Sequence, residues 1–229
     1  MPVKIGETRS CETFFITPRT LLVAGPTLPE RWLLWAAGCG CCSRGLWQQT
    51  TGVALGASLC FCLSMVALYA ASAIYHYYPG DTTSGGVKKL LRKMDHGMIY
   101  VLIAGSYTPF CLVLLPQPRG SRFCMVMWAV AVAGILAKLL WINAPRMLST
   151  AVYLIMGWAV VFLARDFACL GQPCLTLVAL GGVCYSVGAV FYAIKRPNLS
   201  AEWTFHELFH LLILAGSLFH YLAVYFYVV

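Results

Sequence analysis

The chain has 229 residues, of which 60% are apolar and only 10% charged, with a mean hydropathy of +0.77. Soluble domains run near 45–50% apolar and about 25% charged, so a water-soluble enzyme is excluded and most of this chain belongs in lipid. The net charge of +8 fits a membrane protein with a cationic face towards anionic headgroups; nucleic acid need not be invoked.

Residues 1–47 carry no secretory signal: Met1 to Arg19 lacks a short apolar run ending in a small-residue cleavage site. A first membrane span is expected at about 20–43, but it is weak, because Pro26, Pro29, Glu30 and Arg31 sit near its middle. Cys39-Gly-Cys41-Cys42 has metal-like spacing but no matching second cluster, and reads as a small-residue stretch. Six further segments are long and apolar enough to cross a bilayer, at about 49–77, 97–116, 123–142, 149–165, 175–194 and 205–228. Gly52 and Gly56 have the spacing that allows close helix approach, and Gly181, Gly182 and Gly188 read the same way. Pro79 and Gly80 open a loop that leads to the basic run Lys88, Lys89, Arg92 and Lys93. Pro109 should kink its span, with Ser106 or Thr108 bonding freed carbonyls. Cys169 and Cys174 flank a short loop and could pair in an oxidising compartment. Trp47, Tyr77, Tyr78 and Trp203 suit an interfacial aromatic belt.

Lys and Arg concentrate in alternate loops. Lys88, Lys89, Arg92, Lys93, Arg146, Lys195 and Arg196 lie on one side, against Arg44, Arg119, Arg122 and Arg165 on the other. The richer side is expected to be cytoplasmic. Seven spans also put the N-terminus, with Lys4, Arg9 and Arg19, inside. The expected fold is an all-α polytopic bundle of seven spans, one integral membrane domain over 1–229, in the cell membrane (the inner one in a bacterium).

That topology brings four polar groups to one depth. The 49–77 span ends at the cytoplasmic leaflet with His76, the next begins there with Asp95, and the last begins there with His206 and His210. Residues at i and i+4 share a helix face, so His206 and His210 can hold one ion, and Ser72 points where His76 points. Three imidazoles leave a tetrahedral zinc one open position, the pattern of a catalytic site. Asp95 could hold or deprotonate a water there, and Ser72 could donate to a developing oxyanion. A histidine in a membrane helix can also simply bond a neighbouring helix; His220 is read that way, and His96 as an interfacial residue beside Asp95. His206-Glu207-Leu-Phe-His210 matches the pattern of zinc proteases, but Glu207 points about 100° away from the histidine face.

Ser72-Ala-Ile-Tyr-His76, then Asp95-His96 with Ala104-Gly-Ser-Tyr-Thr-Pro-Phe110, resembles the hemolysin III family. So do Met156-Gly157-Trp158, Gly188-Ala-Val-Phe-Tyr192 and His206-x-x-x-His210 with His220. The likeness covers about 48–229; the Thr-His and glycines of the family's first span have no equivalent before residue 47, so 1–47 is divergent. The family is grouped with the progestin and adipoQ receptors. The resemblance implies seven spans and a cytoplasm-side zinc site built from His76, His206 and His210, with Asp95 orienting a water. It also implies kinship with alkaline ceramidases, hence membrane lipids as partners and hydrolysis of a lipid amide or ester in membrane lipid homeostasis. Pore-forming cytolysis, or lipid sensing with a structural zinc, are the alternatives it leaves open.

Overall fold

The computed structural model describes residues 51–79, 86–141, 146–200 and 203–229. The 20–43 candidate span, the cysteines at 39, 41 and 42 and the N-terminal cations lie outside them. Six helices organise the described residues: α1 (Gly52–Tyr77), α2 (Val87–Pro109), α3 (Arg119–Leu140), α4 (Arg146–Gly157), α5 (Gln172–Ile194) and α6 (Phe205–Tyr227). Five of these, with α2 prolonged to Leu114, are long and apolar enough to span a membrane; the sixth apolar segment, Met147–Leu163, is shorter. The all-α membrane bundle is therefore present, with five to six spans among the described residues.

Outward faces are apolar, as in a bundle solvated by lipid: Phe162 is 86% exposed, Ile155 71% and Leu63 65%. Inside, backbones approach where side chains are small. A Cβ at Gly105 would collide with Ser64 of α1, and one at Gly134 would lie 2.5 Å from the Tyr100 ring. Gly181 and Gly188 are close-approach positions too, whereas Gly52, Gly56 and Gly182 meet no described atom within 4 Å. Small residues thus do the packing work, at positions only partly those of the sequence pattern.

Helix α2 starts ten residues before the apolar stretch that marks it. The basic run expected in a loop is helical instead, because Lys and Arg are good helix formers and two of its cations find helix-end carbonyls. Lys88 Nζ donates to Tyr75 O at 2.6 Å, and Lys93 Nζ to Leu139 O at 2.7 Å. Both acceptors sit at the C-terminal ends of neighbouring helices, where cations are favoured. At the other end of α2, Pro109 supplies no N–H, and the chain passes into a π-helical turn over Phe110–Leu114. Ser106 Oγ donates to Ile103 O (2.8 Å) and Thr108 Oγ1 to Ala104 O (2.9 Å), as serine and threonine do beside a proline. Cys174 is a fully buried free thiol.

The closest-packed neighbours are α1 with α2, α5 with α6, and α2 with α3. Helices α1 and α6 keep their backbones apart and meet through side chains. Tyr69 and Ser217 share a 2.7 Å hydrogen bond, and His76 touches His206. The space held open beside them is a cavity of about 760 Å³, running from the histidines past Ile99 and Tyr107 to Phe167 and Leu175. That volume is in the range of small-molecule pockets.

Candidate metal centre

Each ligand arrives by ordinary helix rules. Helix α6 begins at a capping box: the Thr204 side chain accepts from the His206 N–H, and Glu207 accepts from the Thr204 N–H at 2.8 Å and from its hydroxyl. The cap fixes the first turn, and His206 and His210 follow on one face, with Nε2 atoms 3.2 Å apart. At 3.6 residues per turn, His206, His210, Ile213 and His220 fall within a stripe about 80° wide, and all four line the cavity. His76, in the last turn of α1, places its Nε2 3.3 Å from that of His206. One ligand atom from each of the three lies within 4.8 Å of the other two, and all three residues are half-buried.

Two arguments favour a cation over a metal-free network. Nitrogens bound at about 2.0–2.1 Å to a tetrahedral ion must lie about 3.3–3.4 Å apart. Two of the three pairs, at 3.3 and 3.2 Å, come close to that spacing, and the third lies within 4.8 Å. The second argument is valence. An imidazole Nε2 carries either one proton or one lone pair. His206 Nε2 contacts two other Nε2 atoms, so it cannot donate to one and accept from the other; without an ion, both contacts must share its single proton or lone pair. Three neutral nitrogens aimed at one point suit a divalent transition ion.

Asp95 and Ser72 complete the expected set. Asp95, on α2, lines the same cavity as the histidines. It faces Ser72, one turn before His76 on α1. The Ser72 hydroxyl is buried yet has no well-formed hydrogen-bond partner, and an orphaned buried hydroxyl at a site calls for a ligand or a water. All five expected site residues therefore border one cavity: three share a point, and two sit together beside it. His96, next to Asp95, is bound instead to Tyr192 OH (Nε2, 3.2 Å), and its carbonyl accepts from Tyr153 OH at 2.8 Å. His220 contacts Val178 O at 3.2 Å, the helix-bridging role expected of it. Glu207 is 5% exposed and held by the cap; a carboxylate so engaged is poorly placed as a protease base.

Sequence reading overlooked three cavity residues, Arg92, Lys138 and Trp141. The signal depends on 88–93 being helical: Arg92 then lies three residues before Asp95 on the same helical face.

The comparisons with known proteins fall on this same region. The family model described as haemolysin-III related matches residues 33–221. The chain is similar to the hemolysin-3 homolog of Bacillus subtilis (strain 168), 36% identical over 170 residues, covering 74% of this chain and 76% of the relative. It is also similar to hemolysin-3 of Bacillus cereus, 34% identical over 79% of each chain. A more distant likeness, 24% identity over 81% of this chain and 73% of the relative, is to the human monocyte to macrophage differentiation factor. With a multi-helix apolar bundle in hand, these similarities place the chain in the cell membrane as a multi-pass protein and make it a member of the haemolysin-III related family.

Proposed function

We propose that the protein is a zinc-dependent hydrolase of a lipid amide or ester, working at the cytoplasmic end of the bundle in membrane lipid homeostasis. The observation that carries this reading is the convergence of the His76, His206 and His210 nitrogens beside a carboxylate, at one end of an apolar cavity. A zinc ion there would supply Lewis acidity and acidify a water.

The chain's own groups divide the rest of the work. His76, His206 and His210 would hold the ion. Asp95 takes the proton from the attacking water and returns it to the leaving amine or alcohol. Ser72 Oγ, beside Asp95 but without a well-formed hydrogen bond, donates to the carbonyl oxygen as charge develops on it. The apolar walls near Ile99, Tyr107 and Phe167 take the acyl chain and keep bulk water from the reacting carbonyl.

The test is lipid profiling of cells that express the wild-type chain or the Asp95→Ala variant, with zinc content measured on both purified proteins. The reading expects equal zinc and a shift in one class of lipid amide or ester, with turnover down by about 10²–10⁴. An unchanged lipid profile at equal expression overturns it.

A further inference from the structure

We infer that the mouth of the cavity is a binding site for a phosphate oxyanion, held between Arg92 of α2 and Lys138 of α3. Both residues are half-buried and line the cavity that holds His76 and Asp95. They lie within each other's electrostatic field, an arrangement of like charges that costs energy unless something anionic stands between them. Their neighbours Lys88 and Lys93 differ, since each ammonium already donates to a helix-end carbonyl.

Counter-charge inside the described protein does not answer them. Its carboxylates are Asp95, Asp166 and Glu207. Asp166 pairs with Arg119 at 2.9 Å, and Glu207 is held in the α6 cap. Asp95 makes no ion pair within 4.0 Å with either cation. Two cations from two helices suit a phosphate monoester, which carries about −1.5 to −2 charges. Arg92 offers a planar fork that matches phosphate oxygens, and Lys138 a point charge. Trp141, one turn beyond Lys138 and 53% exposed, has the amphipathic ring that settles at headgroup depth.

Topology alone would explain cations at this end of the bundle, but it treats all of them alike. Lys195 and Arg196 follow α5, are exposed, and lie outside the cavity wall; they are the internal control. Recognition here is independent of hydrolysis, and its test reads binding, not turnover.

The experiment titrates the purified, zinc-loaded full chain in neutral detergent with dihexanoyl phosphatidic acid, dihexanoyl phosphatidylcholine or inorganic phosphate, by calorimetry. The expected result is that phosphatidic acid binds, that phosphatidylcholine binds at least ~10-fold more weakly, and that Arg92→Gln with Lys138→Gln removes the difference. Zinc content in that double variant, unchanged from wild type, shows that it is folded. Tighter binding of phosphatidic acid than of inorganic phosphate assigns the site to a lipid headgroup; equal binding assigns it to free phosphate. The inference fails if Lys195→Gln with Arg196→Gln weakens binding as much, since the effect is then general surface attraction. It fails equally if phosphatidylcholine binds as well as phosphatidic acid.

Discussion

The two ends of the cavity each present histidine from the same stripe of α6, and they solve the problem of a polar ring in an apolar bundle in opposite ways. At the deep end, His220 bonds a backbone carbonyl through Nε2, while its Nδ1 is buried without a partner. Val178 O can only accept, so Nε2 holds the proton and donates at 3.2 Å. Tyr185 packs edge-on against the ring with centroids 5.3 Å apart, and Gly181 leaves the room for it. At the other end, the Nε2 atoms of His206 and His210 lie against other imidazole nitrogens at 3.2–3.3 Å. A histidine with a carbonyl partner is a strut between helices; histidines whose partners are each other form a cluster that could hold an ion. The residue type is the same at both ends, and the partner decides the role.

The largest effect should come from the middle ligand. His206→Ala removes the nitrogen that touches both others. Zinc affinity should fall by more than the roughly 10–100-fold typical of losing an outer hydrogen-bonding partner, as measured by metal content after dialysis against a weak chelator. Thermal stability measured with excess chelator should change little between variant and wild type.

A break at the deep end should leave metal alone and reduce stability. In Gly181→Ala the new Cβ would stand 2.6 Å from His220 Nε2 and 3.1 Å from Gly216 O. The backbone oxygen cannot swing aside, so the helices must part or the Val178 bond must break, at a cost of about 1–3 kcal/mol. A lowered melting temperature with full zinc content is the expected pair of readings. Lost zinc would mean that the two ends are coupled and the contrast drawn between them is wrong.

Glu207→Gln should have the smallest effect. Glutamine closes a capping box as glutamate does, so stability should move by less than about 0.5 kcal/mol and turnover should be essentially retained. A dead Glu207→Gln enzyme with intact zinc would reinstate the protease pattern of His206-Glu207-Leu-Phe-His210.

Much of the metal end was legible in the sequence because it follows from rules that need no tertiary detail. Alternation of spans sets which helix ends share a side, and the i, i+4 rule sets which histidines share a face. Neither depends on where the first span lies. What stayed hidden depends on facing surfaces. Gly105, Gly134 and Gly216 are the tight contacts, and their partners Ser64, Tyr100 and Tyr185 are far away in sequence or on other helices. The helical state of 87–96 was obscured because hydropathy marks where lipid begins, not where a helix begins. The sequence turned Glu207 away from the histidine face by helix geometry; its engagement with Thr204 in the capping box shows where it goes instead.

The most direct measurement is zinc-edge X-ray absorption on the purified protein in detergent, with metal stoichiometry on the same sample. The account predicts one zinc per chain, bound by three imidazole nitrogens at about 2.0–2.1 Å plus one light oxygen ligand, and a His76→Ala sample that has lost this signal. A zinc bound by sulfur, or a spectrum unchanged in His76→Ala, would contradict it.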